Sequence, residues 1–480
     1  MNADSLLSDT SSSAESTGSA SSSDKTSYSK VYADLINSGS WDNGGLHYYQ
    51  YDVNITNRSD ADISDWNLEI TIPSGTEIDQ SWNCTPQIKD TVLSLTGPDY
   101  AKTISPGSSS QGIGLILKTS STDKLTAYKL TYQQNGETFT VTEEERPTPE
   151  QLSAAAKEKA EKVSSGSAKV ETQVPSAKAG SISPLHVEGS QLTDQDGNAV
   201  RLQGVSTHGL QWFPQFVNKD AFKTLRDDWH ANVVRLAMYT AEGGCCETDD
   251  AGREDFKDLI DAGVKAATDL GMYVIIDWHI LHDNSPSMHQ DMAAEFFAEE
   301  SKKYADYPNV IYEICNEPNG SDWKSDIKPY AETIIPIIRK NAPDSVIIVG
   351  TNTWSQDLQD PAADPLEFDN IMYALHFYAG THKDDLRKKA EAALDSGLPV
   401  FISESSITDA SGNGGIDYDS AEAWKKLITD RGLSYIEWSL ANKDESSAIL
   451  KASCTKTSGW TEEDLSETAL WYREMMRNMR

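Results

Sequence analysis

Two different patterns of hydrophobic and polar residues divide the chain. From residue 28 to 141, short runs rich in apolar and β-branched residues are separated by turn-rich clusters such as NRSD, PSG and QNGE. The runs include YYQYDVNIT, WNLEITIP, TVLSLTG, QGIGLILK and AYKLTYQQ. Short strands at this spacing are typical of an antiparallel β-sandwich. We therefore expect an all-β sandwich module over residues 28–141.

From residue 184 to 480 the pattern changes to apolar strand candidates that alternate with amphipathic helical runs. The strand candidates are VRLQGVS, NVVRLAMY, MYVIIDWH, VIYEICNE, SVIIVG, IMYALHFY, PVFISE and YIEWSL. Eight strands with helices between them favour an α/β fold of the (β/α)8 barrel type. A doubly wound open sheet is the alternative, and it is less favoured because no glycine-rich phosphate loop follows the first strand.

Two segments lack the composition of a folded domain. Residues 1–27 are Ser/Thr/Ala-rich and carry too little apolar surface to fold, which predicts a disordered tether. Residues 142–183 begin with the Ala/Glu/Lys-rich run EEERPTPEQLSAAAKEKAEKV and continue with SSGSAKVETQVPSAKAGS. This segment is predicted to be a linker that is partly helical at its start and flexible at its end.

Composition excludes several classes of partner. The formal net charge is −34, so nucleic acid and anionic membrane surfaces are poor partners. The chain contains no run of 18 apolar residues, so no membrane-spanning helix is predicted. The N-terminus shows no basic region followed by an apolar one, so an export signal is not present in this chain. The five cysteines are scattered and odd in number, which favours neither a disulfide scaffold nor a zinc site.

Polar and aromatic residues lie at the carboxyl ends of nearly all the predicted barrel strands. In a (β/α)8 barrel these ends surround the active-site mouth. A single polar residue of this kind is often a satisfied core group, but convergence from so many strands at one rim points to a site. The residues are His208, Arg235, Tyr239, His279, Asn316, Glu317, His376, Tyr378, Glu404 and Trp438.

Glu317 and Glu404 are the pair that carries the predicted chemistry. Glycosidic cleavage requires one carboxylic acid to protonate the leaving oxygen and one carboxylate on the other side of the anomeric carbon. Strands 4 and 7 face each other across a barrel mouth, so their glutamates can approach to roughly 5–5.5 Å, the retaining geometry. Arg235 is expected to keep Glu404 ionised and Tyr378 to donate a hydrogen bond to it. The charge of Glu404 would in turn keep Glu317 protonated.

The barrel region resembles glycoside hydrolase family 5, and is most similar to its bacterial endoglucanase subfamily 2. The motifs that carry the resemblance are HGLQW (208–212), RLAMYT (235–240), IIDWHIL (275–281), YEICNEPNG (312–320), GTNTWSQD (350–357), ALHFYAGTH (374–382), PVFISES (399–405) and EWSLANKDESSA (437–448). They occur in the family's order. Ser405-Ser406 stands where many members of the family have Trp-Gly, and the Cys245-Cys246 pair has no interpretation.

The resemblance implies a role for each matched residue. Glu317 would be the acid/base and Glu404 the nucleophile, while Asn316 would bind the 2-hydroxyl of the sugar under attack. The remaining residues would bind substrate: Trp212 and Trp438 by stacking on the glycone side, Trp354 by stacking on the aglycone side, and Lys443 and Glu445 through hydroxyls of the distal glycone sugar. His208, Arg235, Tyr239, His279, His376 and Tyr378 would complete the site.

The sandwich resembles carbohydrate-binding module family 2, through SWDNG, ITNRSDADISDWNLEITIPSG, SWN and TGPDYAKTISPGSSSQGIGLIL. By this match Trp66 would be the buried core tryptophan. Trp41, Trp82 and Tyr100 would form an exposed aromatic strip that stacks on cellulose, although ordinary core packing is the alternative for these three. The family's terminal cysteine pair is missing, so we expect no disulfide.

Together these observations predict a secreted, monomeric, retaining endo-β-1,4-glucanase that needs no metal or organic cofactor. Its partner would be cellulose or another β-glucan. The alternative substrates are mannan, xylan and mixed-linkage β-glucan, which the same scaffold accommodates by loop variation. A catalytically inactive glycan-binding protein is a third hypothesis, and the presence of both glutamates argues against it.

Overall fold

The computed structural model describes residues 28–110, 112–122, 125, 127–165 and 182–479. The predicted tether at 1–27 lies outside the described residues. The N-terminal module is an antiparallel sandwich of two sheets. Its described strands are β1 (Val31–Asn43), β2 (Leu46–Asn57), β3 (Ser64–Thr71), β4 (Glu77–Trp82), β5 (Thr85–Lys89), β6 (Val92–Thr96), β7 (Ser108–Ser109), β8 (Ile113–Thr119), β9 (Tyr128–Gln134) and β10 (Glu137–Thr142).

Strand alternation builds the sandwich core. One sheet has the order β1-β2-β8-β4, with β7 paired to β2, and the other has the order β10-β9-β3-β6-β5. In β8, the alternate residues Ile113, Leu115 and Leu117 are buried in the core between the sheets. Trp66 is buried in the same core, as the resemblance implied. The residues between these positions point away from the core, since successive side chains in a strand face opposite sides.

The catalytic region is a closed barrel of eight parallel strands, as predicted. A hairpin of β11 (Leu185–Glu188) and β12 (Gln191–Asp194) precedes it. The barrel strands are β13 (Gln203–Thr207), β14 (Val233–Tyr239), β15 (Tyr273–His279), β16 (Val310–Glu313), β17 (Ile347–Val349), β18 (Ile371–Tyr378), β19 (Val400–Ser406) and β20 (Tyr435–Leu440).

Helices surround the barrel, and several of those described have a side-chain cap at the N-terminus. Asn218, Asp249, Asp417 and Ser466 each cap a helix N-terminus by accepting a backbone N–H. The described α-helices are α1 (Pro149–Ser165), α2 (Lys219–Trp229), α3 (Asp250–Leu270), α4 (Gln290–Lys303), α5 (Lys328–Arg339), α6 (Asn352–Ser355), α7 (Gln359–Ala363), α8 (Asp384–Asp395), α9 (Tyr418–Arg431) and α10 (Glu467–Asn478). None of the described helices is long and apolar enough to cross a bilayer.

Alternation along the barrel strands separates packing from chemistry. In β14, Val234, Leu236 and Met238 pack in the core between barrel and helices. Val233, at the start of the same strand, belongs to the apolar layer that fills the bottom of the barrel. Arg235 has the same orientation two residues later, because inward-facing positions in a strand repeat every second residue. The barrel interior is therefore apolar below and polar at its carboxyl end.

The segment predicted to be a linker does not act only as a spacer. Its described part, residues 142–165, contains helix α1, and Leu152, Ala156 and Ala160 are buried on one side of that helix. Ala156 and Ala160 belong to the core that surrounds the barrel, and Ser153 Oγ lies 2.7 Å from Thr333 Oγ1 of α5. Helix α1 is therefore packed on the barrel; residues 166–181 lie outside the described part of the chain.

Candidate active site

An open cleft of about 660 Å³ lies at the carboxyl ends of the barrel strands. All the residues predicted for the barrel site line this cleft except Arg235 and Asn316. These two are buried directly beneath it and connect to its lining by hydrogen bonds. The structure therefore brings the predicted barrel residues into one site, arranged in an upper lining and a lower supporting layer.

Two carboxylates face each other in the middle of the cleft. An oxygen of Glu317, an oxygen of Glu404 and a ring nitrogen of His376 all lie within 4.8 Å of one another. Strand pairing sets His376 directly beside Glu404 on β18 and β19. Glu404 Oε1 accepts a hydrogen bond of 2.7 Å from the Tyr378 hydroxyl. The separation of the carboxylates suits retaining glycosidic cleavage, since inverting pairs are roughly 6.5–9.5 Å apart.

Arg235 lies at the centre of the supporting layer. Its Nη1 is 3.3 Å from Glu404 Oε2, its Nε donates to Glu313 Oε2 at 2.7 Å, and its Nη2 is 3.0 Å from Asp277 Oδ2. Nη2 also donates to Asn316 Oδ1 at 2.6 Å. The single positive charge is thus shared among three buried carboxylates instead of being devoted to Glu404.

Asn316 and His279 hold each other in one orientation. Asn316 Nδ2 lies 3.2 Å from His279 Nε2 and donates to the backbone oxygen of Ile280 at 3.0 Å. Since the amide N–H can only donate, His279 Nε2 accepts, and its Nδ1–H donates to Asp277 Oδ2 at 2.6 Å. Burial lowers the pKa of His279 well below its ordinary value, which agrees with this neutral tautomer.

The electrostatics of Glu404 differ from the sequence expectation. Burial, reinforced by the charge of Glu317, raises the pKa of Glu404 to about 7. His376, Arg235 and the Tyr378 hydrogen bond lower it, as expected for Arg235 and Tyr378, but do not compensate. The physical reason is that Glu404 is almost completely removed from water and lies beside a second carboxylate. Glu404 therefore changes charge close to neutral pH.

His376 acts on the other carboxylate. Its Nδ1 is 2.8 Å from Glu317 Oε1 and its Nε2 is 2.9 Å from the Ser403 hydroxyl. Burial alone would lower the pKa of His376, but hydrogen bonds to Glu313 and Glu317 outweigh burial and raise it to about 9. His376 is therefore a cation at neutral pH that donates to Glu317.

The same trio of Glu317, His376 and Glu404 has the ligand types of a metal site. However, both ring nitrogens of His376 already have hydrogen-bond partners. Neutral imidazole nitrogen is the form that binds metals, whereas this ring is protonated. The geometry therefore fits a histidine that donates to a carboxyl group of the pair better than a metal ligand.

Aromatic side chains form the walls of the cleft. Trp212 and Trp354 are 43% and 38% exposed, whereas Trp438 is nearly buried and stacks on His279 with ring centroids 5.3 Å apart. Tyr239 packs against His279 at 4.1 Å. Flat, partly exposed rings of this kind are suited to contact the apolar faces of sugars.

Trp354 is presented by a strained turn. Thr353, Trp354 and Ser355 all have φ between 52° and 57°, a left-handed conformation that costs roughly 1–2 kcal/mol per non-glycine residue. The turn is held because Ser355 Oγ donates to the backbone oxygen of Asn316 at 2.6 Å and the Trp354 N–H donates to Pro318. This strain could not be predicted from the residue pattern, and it lies at the cleft, where strained residues often cluster.

At the opposite wall, Lys443, Glu445 and His208 form a charged cluster. Lys443 Nζ lies 2.6 Å from Glu445 Oε2, and Glu445 Oε1 is 3.6 Å from His208 Nε2. Burial lowers the pKa of His208. These groups provide donors and an acceptor suited to sugar hydroxyls.

The replacement of Trp-Gly by Ser405-Ser406 leaves Glu404 undisturbed. Ser405 faces the helices, donates to the backbone oxygen of Ile436 at 2.8 Å and accepts from the Tyr472 hydroxyl at 2.9 Å. Tyr472 of α10 is buried and packs against this strand. The position is therefore a polar contact between barrel and helix on the side away from the cleft.

The aromatic residues predicted in the sandwich lie on a separate surface. Trp41 pairs with Tyr48 across β1 and β2, and their rings stack at 5.5 Å. Trp82 covers Gly114, where an added Cβ would lie 2.0 Å from the indole ring. Tyr100 is 77% exposed, and its hydroxyl donates to Asn83 Oδ1 at 3.3 Å. Trp41 is 43% exposed, so neither it nor Tyr100 is a core residue.

Sequence reasoning missed several residues that support the site. Asp277, Glu313 and Ser403 contact His279, Arg235 and His376 from below. A signal for Asp277 was available, because it lies two residues before His279 and hence on the same side of the strand. Burial raises the pKa of Glu313, but Arg235 and His376 outweigh burial and lower it to about 2.

Comparisons with known protein families agree with this geometry. The sequence profile of the family described as cellulase, glycosyl hydrolase family 5, matches residues 193–444. The profile described as cellulose binding domain matches residues 32–139. The two matches coincide with the barrel and the sandwich.

Individual relatives show the same similarity. Endoglucanase E-5 of Thermobifida fusca is 33% identical over 454 residues, which cover 93% of this chain and 91% of that protein. An endoglucanase of Clostridium saccharobutylicum is 48% identical over 291 residues, 60% of this chain and 64% of its own length. The solved catalytic domain of a Thermobifida fusca endoglucanase, in complex with cellotetraose, is 37% identical with a TM-score of 0.59, and covers 62% of this chain and 97% of that one.

Proposed function

The chain belongs to glycosyl hydrolase family 5, the cellulase family, and from this premise we propose that it is a retaining endo-β-1,4-glucanase that acts on cellulose. The observation that carries the proposal is the pair of carboxylates, Glu317 and Glu404, within 4.8 Å of each other in an open cleft. An open cleft can accept an internal segment of a polymer. The family profile and the endoglucanase relatives support the same activity.

The first chemical step is the attack of Glu404 on the anomeric carbon. As its carboxylate oxygen forms the new bond, the glycosidic bond breaks and Glu317 gives its proton to the departing oxygen. The products are a shortened chain with a new hydroxyl and a glycosyl ester on Glu404. His376, which donates to Glu317 Oε1, stabilises the carboxylate that Glu317 becomes.

The second step reverses these roles. Glu317, now ionised, takes a proton from water, and the resulting oxygen attacks the anomeric carbon and displaces Glu404. Two successive inversions give net retention. Arg235 and Tyr378, which contact opposite oxygens of Glu404, stabilise its negative charge whenever it departs.

We assign the remaining residues to substrate binding. Trp212, Trp438, Lys443 and Glu445 bind the glycone side, and Trp354 binds the aglycone side. Asn316 is positioned by Arg235 for the 2-hydroxyl of the sugar under attack. Trp41, Trp82 and Tyr100 hold cellulose on the sandwich. The protein acts outside the cell, where its polymeric substrate lies, and as a monomer.

The activity is tested by measuring reducing sugar and viscosity on a soluble cellulose derivative, with mannan, xylan and mixed-linkage β-glucan in parallel. A steep early loss of viscosity on the cellulose derivative, absent in Glu404→Gln, is expected. Turnover mainly on mannan or xylan would be consistent with the two-glutamate mechanism but would overturn the proposed identity of the substrate. Binding of cellulose without release of sugar would overturn the enzymatic activity itself.

A further inference from the structure

A buried ion cluster fastens the sandwich to the barrel. Arg58, between β2 and β3, places Nη1 2.9 Å from Asp291 Oδ1 of α4, and Lys159 Nζ of α1 lies 2.7 Å from Asp291 Oδ2. The Arg58 and Asp291 side chains are only 10% and 14% exposed. Arg58 also donates to the backbone oxygen of Met288. One carboxylate therefore joins the sandwich, helix α1 and the barrel.

A second contact secures the end of the sandwich where helix α1 begins. Arg146, just before α1, donates through Nε to Asp34 Oδ1 of β1 at 2.6 Å. Helix α1 itself is packed on α4 and α5 through Ala156 and Ala160. The segment between the domains thus lies along both of them, and the sandwich has a defined orientation.

The docked face of the sandwich is also its aromatic face. On the outward side of the β1-β2-β8-β4 sheet, Asp52 accepts from Asn284 Nδ2 at 3.3 Å, and Ile36 is so close to Gly320 that an added Cβ would lie 2.9 Å away. Trp41 and Tyr48 lie on the same side, further along β1 and β2. From strand spacing and rise, Trp41 and Trp82 are roughly 20 Å apart across this face.

The aromatic face and the catalytic cleft meet at Glu242. A crevice of about 210 Å³ is lined by Asn83 and Gly112 of the sandwich and by Glu242 and His282 of the barrel. Glu242 also lines the catalytic cleft. Its Oε1 is 3.3 Å from His282 Nδ1, while its Oε2 is buried without a hydrogen-bond partner in the described residues. Glu242 is thus shared by the two surfaces.

We propose that the sandwich is a fixed extension of the cleft, so that one β-glucan chain contacts the aromatic face and the catalytic residues at the same time. The chain passes Glu242 at the junction. The identity of the polymer rests on the proposed function. A module on a flexible tether meets the chain at an effective concentration set by the length of the tether, whereas a fixed module adds binding positions that are continuous with the cleft.

The test is to release the sandwich and to compare a long with a short soluble substrate. Arg58→Glu places a negative charge against Asp291 and should undock the sandwich, which small-angle scattering detects as a larger radius of gyration. We expect KM for hydroxyethyl cellulose to rise about tenfold, because the undocked sandwich no longer offers binding positions continuous with the cleft, with cellotetraose hydrolysis unchanged. Lys129→Glu is the control of equal charge change, because Lys129 is exposed on the other sheet.

An undocked Arg58→Glu protein with an unchanged KM for hydroxyethyl cellulose would overturn the proposal. If that variant does not fold, Trp82→Ala replaces it, and the ratio of kcat/KM for the polymer to kcat/KM for cellotetraose must fall. An unchanged ratio would again overturn it. If the unaltered protein hydrolyses neither substrate, the proposed function fails and the present proposal is tested by binding alone. Affinity electrophoresis then compares the affinity of the docked and the undocked protein for the polymer.

Discussion

The barrel cleft and the aromatic face of the sandwich bind sugar by opposite arrangements. In the barrel, charged groups from several strands converge and are withdrawn from water, as Arg235 and Glu404 are. On the sandwich, rings such as Trp41 and Tyr100 are exposed. Bond cleavage requires shifted protonation states, which burial and neighbouring charges produce. Adsorption requires only a rigid surface, so damage there should affect binding alone.

The largest effect is expected from the two carboxylates. Glu404→Gln and Glu317→Gln should each lower kcat by several orders of magnitude, since acid/base catalysis alone contributes about 10²–10⁴-fold. Binding to insoluble cellulose should persist in both. Glu391→Gln, an exposed glutamate on α8, is the matched control. Near-normal turnover in either active-site variant, measured as reducing sugar, would contradict the assignment.

Arg235→Lys should be next in size and should affect stability as well as rate. Lysine keeps the charge but not the fork that contacts Asp277, Glu313, Glu404 and Asn316. Breaking buried pairs of this kind costs about 3–5 kcal/mol. The midpoint of urea unfolding and kcat should both fall. This distinguishes the supporting layer from the aromatic face, where damage should affect binding alone. A variant as stable and active as the parent would argue against the shared-charge network.

Tyr378→Phe should shift the pH dependence of kcat/KM. Because Glu404 attacks as a carboxylate and burial raises its pKa to about 7, kcat/KM for a neutral substrate should fall as pH drops below 7. The Tyr378 hydroxyl lowers this pKa, so its removal should shift the acidic limb to higher pH, by about one unit for a lost hydrogen bond to a charged group. A shift to lower pH would contradict this role.

The smallest effect is expected from Gly114→Ala on the sandwich. Its Cβ would lie 2.0 Å from the Trp82 ring, which must move, so cellulose binding should weaken several-fold, as for a lost aromatic contact. Turnover of cellotetraose should not change. Gly39→Ala is the control, since its Cβ would meet only Gln50 at 3.7 Å on the same face. Equal losses of cellulose binding in the two variants would show that displacement of Trp82 is not the cause of the weaker binding.

The site residues that could be predicted from the sequence are those placed by the regular geometry of the barrel. Glu317, Glu404 and Arg235 were identified because strand ends in a parallel barrel converge whatever the loops do. The raised pKa of Glu404 was not, because it depends on how deeply the side chain is buried and on the charge of Glu317 beside it.

The docking of the sandwich on the barrel also could not be predicted from the sequence. Arg58 and Asp291 are 233 residues apart in the numbering, and no motif links the two. Their pairing follows from the packing of two separately folded surfaces. Helix α1 had a helical composition, but only its position against α4 and α5 shows that it fastens the two domains.

The most direct test of the central claim is the stereochemistry of the first product. Proton NMR during the first minutes of cellotetraose hydrolysis, before mutarotation, distinguishes the two anomers at the new reducing end. Carboxylates within 4.8 Å of each other predict that the β-anomer appears first, through a glycosyl ester on Glu404. Initial formation of the α-anomer would show single inversion by water and contradict the mechanism.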